Sequence, residues 1–167
     1  LNSLAGGNSD HLYQLAVMVS ERIALAIVNL RLRETLRDQS IRDPLTELYN
    51  RRYLLETMMR ELSRANRRKT SIGVMMMDID HFKIFNDSYG HDVGDHLLQS
   101  LGIYLLRNIR GEDVACRYGG EEFVLVLPDT SLKDTMRRAG ELREGISRLS
   151  VLHAGKTLGG ITVSIGV

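Results

Sequence analysis

A chain of 167 residues, 43% hydrophobic and 26% charged, can bury one good core and is neither disordered nor fibrous. Its 22 basic and 21 acidic residues leave a net charge of +1, so no global field argues for nucleic acid or a membrane surface, and any phosphate binding must be local. No apolar run approaches the roughly 20 residues that span a bilayer, no signal peptide is evident, and the single Cys116 fits a reducing compartment and a packing role, so a cytoplasmic location is expected, with a longer parent protein free to be membrane-tethered.

Residues 1–10 are expected to form a flexible N-terminal segment. From His11 to Ile41 the chain has few helix breakers, and Leu12, Leu15, Val19, Ile23, Ala26 and Leu30 recur at three- and four-residue steps, which predicts one long helix. Its middle, Ile23-Ala24-Leu25-Ala26-Ile27-Val28, is apolar nearly all round. A solitary helix in water would not carry such a surface, so it is expected to pack on its own copy or on an upstream domain. Asp43-Pro44 ends the element, because the residue before proline is driven out of helical conformation. The expected organisation is therefore a signalling or coiled-coil helix over 11–42 and a separate domain over 43–167.

In that domain Tyr53 to Arg67 carries Leu54, Leu55, Met58, Met59 and Leu62 on one face, the pattern of an amphipathic helix, closed by the basic cluster Arg64, Arg67, Arg68 and Lys69. Ser71 to Ile79 reads as a buried strand with Met75-Met76-Met77 as core filling. A short helical turn follows Asp80, then a second amphipathic helix holding Leu97, Leu98, Leu101, Leu105 and Ile109. Asp113 to Arg117 and Glu121 to Leu127 read as hairpin strands, Ser131 to Leu149 as a helix, and Thr157 to Val167 as a final strand region. This β-α-β-β-α-β order predicts an α+β fold, a ferredoxin-like sheet backed by helices on one face.

The chemistry concentrates at two strand ends. In Arg117-Tyr118-Gly119-Gly120-Glu121-Glu122-Phe123 two consecutive glycines between strands suggest a two-residue type I′ or II′ turn with positive φ, which holds Glu121 and Glu122 rigidly at the mouth of an interior strand. Asp78 and Asp80 end the first core strand, and period-two geometry sends both to one face. With the two strands adjacent, Asp78 and Glu122 converge on one cation, and hard oxygen ligands of this type suit Mg²⁺ or Mn²⁺ with water and substrate phosphate completing the shell. Acids at strand ends alternatively face solvent or cap the next helix. The turn His81-Phe82-Lys83 offers backbone N–H groups and a positive charge to phosphate. Asn86 and Asp95 together match a guanine edge, a carbonyl beside N–H donors; Asp92 and Asp95 alternatively have capping-box-like spacing.

Asp43-Pro44-Leu45-Thr46, Asn50-Arg51-Arg52, Asp78-Ile79-Asp80-His81-Phe82-Lys83, Asn86-Asp87, Gly90-His91, Gly94-Asp95 and the Gly-Gly-Glu-Glu hairpin occur in the order and spacing of the GGDEF family of diguanylate cyclases, which residues 40 to 167 resemble. The resemblance implies condensation of two GTP molecules into cyclic di-GMP with release of two pyrophosphates, on a fold related to nucleotidyl cyclases and polymerase palms, with one GTP per domain and a dimer forming the working site. It implies that Asp78, the backbone of Ile79 and Glu122 are ligands to Mg²⁺ or Mn²⁺, two ions per active site. Glu121 is implied to assist attack by the 3′-hydroxyl. Phe82 and Lys83 then meet phosphate, Asn86 and Asp95 meet guanine, and Gly119 and Gly120 leave room for the nucleotide.

Arg110-Gly111-Glu112-Asp113 falls where the family has its RxxD inhibitory site, which implies that Arg110 stacks on or hydrogen-bonds to a guanine of the product while Asp113 accepts from its N–H groups; a surface salt bridge is the alternative. An additional arginine from the third helix of a neighbouring domain, such as Arg138 or Arg143, is a candidate contributor there. The implied partners are GTP, cyclic di-GMP as product and inhibitor, a second copy bound through the N-terminal helix, and an upstream sensor whose exit helix resembles that of a GAF domain; no nucleic acid is expected. A catalytically silent domain that binds GTP or cyclic di-GMP as an effector is the competing expectation. Two residues depart from the pattern, Glu47 in place of a glycine in the entry turn and Glu121 where aspartate is frequent. The resemblance also stops at Val167, ahead of a C-terminal helix that supplies basic contacts to triphosphate, so weak GTP binding or no turnover is expected of this chain alone.

Overall fold

A computed structural model describes residues 6–153 and 155–167. The chain divides into two units between Ser40 and Ile41. The first is the long helix α1, Gly6–Ile41, which begins ahead of the expected His11. The side chains described along it include Leu15, Val19, Ile23, Ile27, Val28 and Leu30, all exposed, while that of Leu12 lies outside the described residues. Among the described residues no helix is long and apolar enough to cross a membrane.

The second unit is built on a five-stranded sheet. A two-residue strand β1 (Tyr49–Asn50) leads into α2 (Arg51–Arg68); β2 (Ile72–Ile79) is followed by α3 (Phe82–Tyr89) and α4 (His91–Asn108); β3 (Val114–Arg117) and β4 (Glu122–Pro128) form a hairpin; α5 (Leu132–Ile146) leads to β5 (Ser150–His153), β6 (Lys156–Gly159) and β7 (Val163–Gly166). The sheet order is β1-β3-β4-β2-β7, with β5 and β6 paired apart from it. Among the described residues only β1 pairs in parallel, with β3; the other ladders are antiparallel. Leaving β1 aside, the order places β4 between β2 and β3, the split β-α-β of a ferredoxin-like sheet. The short β1 and the β5–β6 ribbon are additions, and the expected final strand over 157–167 is two strands belonging to different sheets.

Burial on both faces holds the sheet together. Phe123, Leu125 and Leu127 of β4 join Met75, Met77 and Ile79 of β2 in a core closed by Leu97, Leu98 and Leu101 of α4 and by Ala139, Leu142 and Ile146 of α5. The alternate residues Val124 and Val126 join Val114, Cys116 and Leu54 of α2 in a second cluster. Successive strand side chains point to opposite faces, so α2 covers the face away from α4 and α5. Helices therefore lie on both sides rather than on one. β4 is buried on both faces, which its unbroken apolar run anticipates.

Candidate active site

The β2–β4 ladder sets Asp78 directly opposite Glu122. On β2 the inward set Gly73, Met75, Met77 and Ile79 alternates with Val74, Met76 and Asp78, so the apolar period that anchors the strand also turns Asp78 outward. Directly opposed residues of an antiparallel pair share a face with Cβ atoms about 5 Å apart, and like charges there destabilise the pair. Two facing carboxylates with oxygen donors suit a hard cation. The Ile79 side chain is buried in the core, so this residue offers the site only its backbone. Two side chains and one carbonyl fall short of a three-carboxylate cluster, and among the described residues no group of three His, Cys, Asp or Glu gathers.

Asp80, expected on the same face, is turned to β7. Its carboxylate accepts from the hydroxyls of Thr162 and Ser164, both at 2.6 Å, and these two bonds hold it below the ordinary carboxylate range. It anchors the edge strand and is not one of the facing acids.

The β3–β4 connection spans 118–121, and neither Gly119 nor Gly120 has φ in the left-handed region, so the expected type I′ or II′ turn does not form. Instead the Glu122 carbonyl accepts from the N–H groups of Tyr118 at 2.8 Å and Gly119 at 3.3 Å. A Cβ on Gly119 would lie 2.5 Å from Glu122 Oε2, whereas one on Gly120 would meet nothing within 4 Å. A side chain at position 119 would therefore push the Glu122 carboxylate out of this position. Arg117 locks the loop from outside: its Nε and Nη2 donate to the Gly120 carbonyl at 3.1 and 2.8 Å, and Nη1 donates to Asp43 Oδ1 and Oδ2 at 3.2 and 3.4 Å. Asp43 also receives the N–H and O–H of Thr46 at 2.9 and 2.7 Å. Burial raises the Asp43 carboxyl, but the Thr46 bonds and the Arg117 charge outweigh it and leave it below its usual value. Glu121 sits half-buried in this clamped loop.

Beyond β2, His81 takes φ of 60° and turns the chain into α3. Phe82 is buried and Lys83 exposed, so one anchors the turn and the other presents charge. Asn86 Oδ1 is buried without a protein hydrogen-bond partner. A Cβ on Gly94 would lie 1.8 Å from that oxygen and 3.3 Å from Phe82 Cζ; glycine at the start of α4 is what lets Asn86 in. Asp95 follows it and is exposed. The capping alternative for Asp95 is not realised, since the N-cap of α4 is Gly90 and no side chain caps it.

Asp113 is not at the surface. Its Oδ2 accepts from the Arg110 N–H at 2.9 Å and from Arg138 Nη2 at 2.8 Å, a buried pair in place of the surface salt bridge considered as the alternative. Arg143 lies elsewhere, with Gly140, Thr162 and Ser164 on a groove of about 1450 Å³ between α5 and β7 that neither Asp78 nor Glu122 lines. The sequence assigns Asp43 only to the end of the first helix and gives Arg117 and Gly94 no role; Arg117 carries the one available signal, a cation at a strand end beside a glycine loop.

Fold and site together define an α+β domain with a ferredoxin-like sheet and facing carboxylates at the ends of its two central strands. Residues 40–167 match the family described as diguanylate cyclase, GGDEF domain, and the chain belongs to that family. The response regulator PleD of Caulobacter vibrioides is 41% identical over 130 residues, 77% of this chain and 28% of PleD, so the chain spans well under a third of that relative. The diguanylate cyclase SiaD of Pseudomonas aeruginosa, solved in complex with its activator SiaC, matches with a TM-score of 0.75 at 37% identity over 98% of this chain and 63% of that one. The coiled coil and GGDEF domain of DgcB from Caulobacter crescentus, solved in complex with c-di-GMP, matches with a TM-score of 0.82 at 28% identity over 91% of this chain and 81% of that one.

Proposed function

We propose that this domain condenses two GTP molecules into cyclic di-GMP and two pyrophosphates. The observation that carries the reading is the register of Asp78 opposite Glu122, beside a clamped loop that presents Glu121. Asp78, Glu122 and the backbone carbonyl of Ile79 would hold divalent cations, Mg²⁺ or Mn²⁺, two per site. When bound, such ions neutralise the facing acids, polarise the α-phosphate and stabilise the leaving pyrophosphate. Glu121 stands beside them to accept from the attacking 3′-hydroxyl. The backbone N–H groups at Phe82 and the Lys83 ammonium receive the phosphates. Asn86 Oδ1, buried and without a protein partner, and the exposed Asp95 take the donor edge of guanine. The protein's contribution is placement, which in phosphoryl and nucleotidyl transfer is a large part of catalysis.

Each domain holds one GTP, so two copies face each other for the reaction. The α1 helix supplies the dimer contact and receives the signal of an upstream sensor. Product binds back at Arg110 and Asp113.

Incubation of a protein extended through the family's C-terminal helix with GTP and Mg²⁺, followed by chromatography, is expected to yield cyclic di-GMP. Glu122→Ala and Asp78→Ala should each lower the rate by about a hundredfold or more, while calorimetry still detects guanine-dependent GTP binding lost in Asn86→Ala. Equal product from wild type and Glu122→Ala would overturn the metal-site reading. GTP binding with no product from the wild type would favour a silent effector domain.

A further inference from the structure

The reading of Arg110 and Asp113 as the recognition site for cyclic di-GMP makes a demand that the surroundings of Asp113 do not meet. A guanine edge offers two parallel N–H donors, and a carboxylate recognises it with both oxygens turned to the ligand. The Asp113 side chain is 1% exposed. Oδ2 is already engaged twice, by the Arg110 N–H and by Arg138 Nη2, and Oδ1 is buried without a protein partner. The rest of Arg110 is exposed. Half of the recognition pair is therefore presented and half is withheld.

We propose, resting on that site reading, that Arg138 acts as a built-in competitor: α5 caps the product-recognition carboxylate from within the chain, and cyclic di-GMP must displace its guanidinium to be read by Asp113. The chemistry matches, because a guanidinium presents a planar fork of N–H donors, the donor pattern of the guanine edge. The placement is set by the fold. The Asp113 N–H donates to the Arg110 carbonyl at 3.1 Å, which closes a turn at the head of β3, and α5 is pinned to the core by Ala139 and Leu142 on either side of its next turn. Arg138, with its side chain 10% exposed, shares the inward stripe of Thr135, Ala139 and Leu142.

The cap is also made to open. An arginine and a carboxylate can form two parallel bonds, yet this pair has one, and Arg138 Nη1 and Asp113 Oδ1 are both buried without a protein partner. Such unused groups weaken the closed arrangement. Apparent product affinity is then the intrinsic affinity reduced by the fraction of molecules with the pair open. Feedback sets in at a higher product concentration than an uncapped Asp113 would give.

Calorimetric titration of the full chain with cyclic di-GMP tests this. Arg138→Gln is expected to bind about tenfold tighter or more, with binding lost on adding Arg110→Ala. Equal affinity in wild type and Arg138→Gln overturns the cap. Removing the counter-charge of a buried acid could unfold the variant, so the unmutated protein gives a second readout. The ¹⁵Nε resonance of Arg138, assigned by its loss in Arg138→Lys, should shift on saturation as the guanidinium leaves Asp113. A resonance that stays in place during Arg110-dependent binding also overturns the proposal. Binding that is absent from every variant, or indifferent to Arg110, overturns the inhibitory-site reading itself and leaves the catalytic reading untouched.

Discussion

Glu47 stands in the entry turn with φ of 60°, a left-handed conformation that costs a side chain carrying Cβ about 1–2 kcal/mol and costs glycine almost none. The departure from the family pattern thus has a physical address. The turn around it is over-determined: the Glu47 N–H donates to the Asp43 carbonyl at 2.9 Å, its carbonyl accepts from Arg42 Nη1 at 2.9 Å, and Asp43 is held by Thr46. These bonds maintain the conformation against the strain. Glu47→Gly should raise unfolding stability by about 0.5–1 kcal/mol, the relief offset in part by the greater freedom of glycine in the unfolded chain. Thermal or urea unfolding measures it, and turnover should stay as it was. A destabilised Glu47→Gly would mean that the glutamate makes an unrecognised contribution to the turn.

At the scale of elements, the entry turn and the hairpin loop are tied by one side chain. Arg117 gives all its guanidinium nitrogens to two partners, Gly120 and Asp43, the latter 74 residues away. A lysine is a point charge and cannot reproduce a fork that reaches both. Arg117→Lys is expected to cost about 1–3 kcal/mol of stability and to lower kcat more than it raises KM, because the loop that carries Glu121 loses its outer support. The Asp43 end adds a pH signature. Its carboxyl is held below its usual value in the fold, so its contribution is complete above the ordinary carboxylate range near pH 4 and is lost as pH falls through the lowered value. The stability gap between wild type and Asp43→Asn should therefore be full at neutral pH and close in acid; a gap that is constant with pH would show that the charge is irrelevant.

This scale also separates what the sequence makes legible from what it hides. The facing acids were readable, since unbroken apolar runs identify both central strands and Asp78 and Glu122 stand at their ends. The ferredoxin-like order followed from the alternation of element types. Long-range side-chain bonds were not, because nothing local marks Asp43 as the acceptor for Arg117. The turn type of the hairpin differs for the opposite reason: local glycine preference suggests positive φ, while neither glycine adopts it and Gly119 instead lies close to the Glu122 carboxylate. Arg138 left a trace, a charged residue on the buried stripe of α5, although only the fold shows that Asp113 lies beneath it.

At the scale of the molecule, the domain has a dense core, while the described apolar side chains of α1 are exposed; Leu25 and Val28 are 63% and 61% exposed. Isolated helices gain most of their stability from burying such a face. A second copy of α1 is the expected cover. Light scattering at rising concentration should report a dimer, and charged substitutions at Ile23 and Ile27 should return it to monomer while the circular dichroism of residues 41–167 persists. A monomer at all concentrations would sink this assignment and leave an upstream domain as the cover.

The two-sided burial of β4 has a further consequence. The strand that begins with Glu122 is packed from above and below and flanked by β2 and β3, so bending it would disturb both cores at once, and packed interiors yield little to such strain. The acids cannot be tuned by gradual deformation of the strands that carry them. Under the proposed two-copy reaction, control resembles closing a switch rather than turning a dial: it would act on whether two stiff halves meet, and for how long, while each half keeps its shape.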